Sequence, residues 1–133
     1  MNTRWLMRAS AIYTGMIGVA ATFMPQEILR FAGVEATPLL TLGLQVAAAA
    51  QAGLAVINWM AQGVLIGGIY ARPLAIGNFA HFLISALALI KAATSGLHAT
   101  PVLVGAAIHA VFAGLFAFVA FGDPLRARTA PDP

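Results

Sequence analysis

The chain is 133 residues long, 61% apolar and only 8% charged, against about half apolar and about a quarter charged in an ordinary soluble domain, so its polar surface cannot cover a water-exposed globule. Its net charge of +3 and pI near 10.2 come from basic residues scattered at the ends of apolar runs, a membrane-topology pattern and not a nucleic-acid-binding stripe. Cysteine is absent, which excludes disulfide, thiol-redox and thiolate-metal chemistry.

The first apolar run extends from Trp5 to Met24, after the basic start MNTRWLMR, and stops at Pro25. A bilayer span takes roughly 20 apolar residues. The run is that long and lacks a small-residue cleavage site, so it is read as a retained span and not as a cleaved signal. Thr14, Gly18 and Thr22 recur within it every four residues, with Ala11 and Gly15 beside them. Such small residues let membrane helices approach closely. The connection PQEILRFAGVEATP holds Glu27, Arg30 and Glu35, and its apolar Ile28, Leu29, Phe31 and Val34 predict a short interfacial helix.

The second span is predicted over 39–61, dense in alanine (VAAAAQAGLA), with Gly43 and Gly53 around that segment. Gln51, Asn58 and Gln62 share one narrow arc of it. A glycine-rich reversal, QGVLIGGIYARP, follows, and its apolar half could extend the second helix toward Gly67. The third span, 73–93, opens at Arg72-Pro73, with proline suited to a first helical turn. At about 100° per residue, Asn78, His81 and Ser85 fall within roughly a 60° arc. After the turn TSGLHAT, Pro101 opens a fourth span over 101–121, whose Gly105, Ala106, Ala110, Ala113, Gly114 and Ala117 are again small. Residues 122–133 form a polar tail. The pattern predicts an all-α integral membrane protein, a single domain folded as an antiparallel four-helix transmembrane bundle.

Orientation follows from the basic residues near span ends. Arg4, Arg8, Arg72, Arg126 and Arg128 share one side of a four-span topology, and Arg30 and Lys91 share the other. That asymmetry predicts both termini in the cytoplasm, with Trp5, Trp59 and Tyr70 near the same interface. Arg8 is expected to snorkel to the headgroups. Arg72 anchors the third span, with headgroup-phosphate binding as its functional reading.

Polar side chains on one face of a span turn inward, because hydrocarbon offers them no partner. At about 1.5 Å rise per residue, Tyr13, Gln51, His81, Ser85 and His109 fall roughly 10–18 Å from the cytoplasmic edge, one layer drawn from four helices. Two main readings compete for that layer and for Asn58 and Asn78. The first is interhelical hydrogen bonding that fixes register. The second is a polar foothold for the head of a hydrophobic ligand such as a quinone, isoprenoid, sterol or lipid. A third, weaker reading takes His81 and His109 as axial haem ligands, although their depths differ by about 7 Å. No other cofactor and no metal is predicted, since His98 lies in a turn and no carboxylate lies near His81 or His109.

Glu27, Glu35, Asp123 and Asp132 all lie outside the proposed spans. A proton-coupled exporter needs a carboxylate at depth. Acid–base hydrolysis lacks a carboxylate pair, and no Ser–His pair has an orienting acid. Gly67-Gly68 lacks the flanking residues of a phosphate loop. No catalytic residue is predicted.

The stretch NWMAQGVLIGGIYARPLAIGNFAHFLISALALIK, residues 58–91, resembles the signature region of small bacterial four-span membrane proteins of uncharacterised function. Asn58-Trp59, Gly67-Gly68-Ile69-Tyr70, Arg72-Pro73, Gly77-Asn78-Phe79 and His81 carry the likeness, which covers the second and third spans well and the other two in outline. It implies a fold and a bacterial inner-membrane location, and no reaction. In span count, length and a His in the third span, the chain is also distantly similar to the four-span ergosterol-biosynthesis scaffold proteins, which tether membrane enzymes to one another. That is a likeness of architecture. The expected function is a non-enzymatic accessory or scaffolding subunit packing against a membrane-protein partner or a second copy. The alternative is a binder of a hydrophobic small molecule.

Overall fold

The computed structural model describes residues 3–64, 71–97 and 100–122. They are all-helical, in the order α1 (Thr3–Phe23), α2 (Pro25–Phe31), α3 (Pro38–Met60), a 3-10 turn at Ala61–Gly63, α4 (Arg72–Thr94) and α5 (Thr100–Phe121). Among the described residues four helices are long and apolar enough to cross a membrane: α1, α3 with its 3-10 turn, α4 and α5. All four display large apolar side chains outward, among them Met16, Val46, Ile84 and Val111.

Proline and glycine punctuate the elements. Pro25 sits in the first turn of α2, Pro38 in that of α3 and Pro73 in that of α4, where a missing N–H costs nothing. Thr37 caps α3 by accepting from Leu40 N at 3.3 Å. Two helices close through a glycine at positive φ. Gly33 (φ 74°) follows α2, where Val34 N bonds Leu29 O and Gly33 N bonds Arg30 O, each at 2.9 Å. Gly96 (φ 105°) follows α4, where Leu97 N bonds Ala92 O and Gly96 N bonds Ala93 O. These paired bonds satisfy the last carbonyls of each helix. The α-helical part of α3 ends at Met60 and tightens into the 3-10 turn. Gly67 to Tyr70, His98, Asp123, Arg126, Arg128 and Asp132 lie outside the described residues.

The chain divides into two compact units, one built on α1–α3 and the other on α4 and α5. In the first, α1 and α3 are antiparallel: partners pair in the order Arg8–Gln62, Ser10–Asn58, Gly15–Ala55, Gly18–Ala52 and Thr22–Gln45. The closest approach is at Gly18. A Cβ there would lie 2.8 Å from Ala52 N and 3.1 Å from Ala48 O. In the second unit α4 and α5 are also antiparallel, with Phe79 against Phe121, Phe82 against Phe112 and Leu89 against Gly105.

Gly18→Ala is expected to lower stability. Overpacking costs about 1–3 kcal/mol, and the obstructing atoms are backbone, so the gain of ~1 kcal/mol in helix propensity does not compensate. At Gly43 nothing lies within 4 Å of an added Cβ, and Gly43→Ala should be neutral or stabilising. Thermal unfolding in detergent micelles checks both. A Gly18→Ala protein as stable as Gly43→Ala would sink the close-approach account.

Candidate functional site

In the first unit the polar residues bond both between helices and along them. Ser10, Thr14 and Asn58 are fully buried. Asn58 donates its amide to Ser10 Oγ at 3.1 Å, and Ser10 donates to Met7 O at 3.0 Å. Thr14 and Thr22 turn their hydroxyls back onto Ser10 O and Gly18 O, at 2.8 and 2.7 Å. Those back-bonds satisfy a hydroxyl within its own helix. Toward the end of the hairpin, Arg8 Nε donates to the side-chain carbonyl of Gln62, and Gln62 donates to Trp59 O at 2.8 Å. Gln51 is half-buried, and its Oε1 is buried without a hydrogen-bond partner among the described residues. Tyr13 is half-buried on α1.

The second unit is organised around an aromatic cluster. Phe82 is fully buried. Its ring stacks on Phe112 and Phe116, with centroids 4.8 and 5.7 Å away. Both imidazoles lie against it, His81 at 5.1 Å and edge-on, His109 at 5.6 Å. The two imidazole centroids are 6.2 Å apart. His109 is buried, and its Nδ1 lies 2.8 Å from Gly105 O. A carbonyl only accepts, so this contact assigns the proton to Nδ1. Asn78 is fully buried and donates to Leu74 O at 3.0 Å. His81 and Ser85 are half-buried, and His81 Nε2 is buried with no hydrogen-bond partner among the described residues. Leaving such a group unmatched costs about 1–3 kcal/mol.

The expected site residues are drawn from both units. Tyr13, Gln51 and Asn58 belong to the first unit, and Asn78, His81, Ser85 and His109 to the second. Asn78 lies at the centre of the buried face of α4, with Ala75, Phe82 and Ala86, whereas His81 and Ser85 flank it. Arg72 is exposed at the start of α4. Phe82 touches both rings of the His81–His109 pair. No group of three or more His, Asp or Glu able to hold a metal occurs among the described residues.

Three participants were not anticipated. Ser10 completes the Asn58 contact, and its signal is its position between Met7 and Thr14 on the buried stripe of α1. The Arg8–Gln62 pair joins residues 54 apart in sequence, and nothing local announces it. Phe82 carries the aromatic cluster from within a run of apolar residues. Comparison with family models, with curated proteins and with solved structures finds no match.

The Ser10–Asn58 bond should appear as coupling in a double-mutant cycle of Ser10→Ala and Asn58→Ala. The expected interaction energy is about 0.6 kcal/mol, and no more than about 1.7 kcal/mol, the range found between membrane helices. Unfolding in micelles measures it, and strictly additive losses would rule out a direct bond.

Proposed function

We propose that this chain is a small, non-enzymatic integral membrane protein that serves as an accessory or scaffolding subunit. In this reading it crosses the bacterial inner membrane four times as an antiparallel four-helix bundle. The observation that carries the scaffold reading is the surface of α3. Of its 23 residues only Ala48 and Asn58 are buried. Gly43 and Gly53 have open space where a Cβ would stand. Small residues at a helix surface allow another transmembrane helix to approach closely, and within the α1–α3 unit these two are left uncovered. The partner is a helix of another membrane protein or of a second copy.

A second reading is favoured by one atom, the buried Nε2 of His81. A hydrophobic ligand such as a quinone, isoprenoid, sterol or lipid, with a polar head group, would satisfy it against the aromatic wall of Phe82. One experiment separates the two readings: native mass spectrometry of protein extracted gently from its own membrane, wild type beside Gly53→Leu and His81→Ala. For the scaffold, Gly53→Leu shrinks the assembly while the Tm holds, and an unchanged assembly mass overturns it. For the ligand, a small adduct on the wild-type chain disappears in His81→Ala, and an adduct retained there overturns that reading.

The proposed orientation places both termini in the cytoplasm, on the distribution of Arg4, Arg8 and Arg72 against Arg30 and Lys91. Because the chain has no cysteine, single replacements report sidedness cleanly. Thr3→Cys should react with an impermeant maleimide only from the cytoplasmic side, and Ser95→Cys only from the opposite side. The reverse pattern would invert the topology.

A further inference from the structure

Along the α1–α3 hairpin runs an open groove of about 270 Å³, lined by Ala11, Ile12, Ala55, Val56, Trp59 and Met60. Its lining is apolar except for the indole N–H of Trp59. Pockets that enclose drug-sized ligands have volumes of roughly 300–1,000 Å³. This groove is smaller and open on one side, dimensions that suit a single extended hydrocarbon chain better than a fused ring system.

About one helical turn before Ala11 and Ile12 stands Arg8. Gln62 accepts from its Nε and is itself fixed by donating to Trp59 O, and the Trp5 ring lies 5.3 Å from Cζ. The guanidinium is thus held in place by neutral groups, a carbonyl and an aromatic face. Nothing on these two helices neutralises it. The four carboxylates of the chain, Glu27, Glu35, Asp123 and Asp132, all lie outside α1 and α3, and no carboxylate pairs with Arg8 among the described residues. Gln62 takes the Nε–H, and the terminal nitrogens of the fork carry the remaining donors, in a geometry that matches phosphate. Trp5 and Trp59, each more than half exposed, mark the headgroup level, where amphipathic rings sit.

We propose that this groove binds an anionic phospholipid, with its phosphate on Arg8 and one acyl chain along the Ile12–Val56 wall. The site rests on the membrane reading given above and goes beyond it by naming the ligand.

The test is native mass spectrometry of the detergent-solubilised full chain, titrated with phosphatidylglycerol and with phosphatidylcholine of identical acyl chains. The wild type should bind phosphatidylglycerol one to one and in preference. Arg8→Gln should reduce that preference roughly fivefold, the factor expected for one basic residue at a membrane surface. Arg30→Gln, which removes an exposed cation from α2, should leave it unchanged. Val56→Phe, which fills the groove from an exposed position, should weaken both lipids alike without lowering the Tm. Equal binding of the two lipids by the wild type, or an equal loss of preference in Arg30→Gln, would overturn the site. Alkaline carbonate extraction keeps the two failures apart: a chain released from the membrane overturns the membrane reading itself, whereas a retained chain without headgroup preference overturns only the lipid site.

Discussion

The first unit depends on one missing atom. With no Cβ at Gly18, the α1 backbone comes against the α3 backbone at Ala48 and Ala52, where a Cβ would lie 2.8 Å from Ala52 N. That approach decides which polar contacts exist. A serine hydroxyl reaches barely beyond its own helix, yet Ser10 meets Asn58. Gln45 reaches Thr22 O at 3.3 Å, and Arg8 reaches Gln62. All three join α1 to α3 or its 3-10 extension. The same economy of side chain hollows the flank of the hairpin, where Ala11 and Ala55 leave the groove beside Trp59.

The second unit solves the same problem differently. Its centre is filled by stacked phenylalanines, with Phe82 and Phe116 fully buried and alanines such as Ala75, Ala86, Ala106 and Ala113 making room around them. Aromatic pairs of this kind add about 0.5–1.5 kcal/mol beyond their area. The hydrogen bonds of Asn78 and His109 to Leu74 O and Gly105 O each reach one turn back along the same helix. Such bonds solvate a polar group without setting a register between helices. The stacked rings join α4 to α5, and His81, at their edge, has a buried nitrogen with no hydrogen-bond partner among the described residues.

These differences decide what could be read in advance. The long helices follow from uninterrupted apolar runs and from prolines at their first turns, and α2 from an apolar segment bounded by Pro25 and Gly33. The small-residue face of α1 was legible as a close-packing face, and Gly18 on it meets the backbone of α3. The polar residues were harder. A 60° arc holds Asn78, His81 and Ser85 together, and only the packing of α4 separates the buried Asn78 from its half-buried neighbours. Gln62 shares an arc with Gln51 and Asn58 in an ideal helix, and both Asn58 and Gln62 meet α1, at Ser10 and Arg8. Phe82 was indistinguishable from the other phenylalanines, since an apolar run in a span carries no periodicity to mark its inner face.

The glycines of α3 raise a question of balance. Each glycine in a helix interior costs about 1 kcal/mol relative to alanine, and at Gly18 the close approach offsets that cost within the chain itself. At Gly43 and Gly53 nothing offsets it, because an added methyl group would meet open space. A helix facing only lipid has no use for such a surface, since hydrocarbon packs as well against leucine. Under the scaffold reading the cost is met outside the chain, by a second helix that comes as near to α3 as α3 comes to α1. The two faces of α3 then do the same physical work in opposite directions, one closing its own hairpin at Ala48 and Ala52, the other held open for a partner.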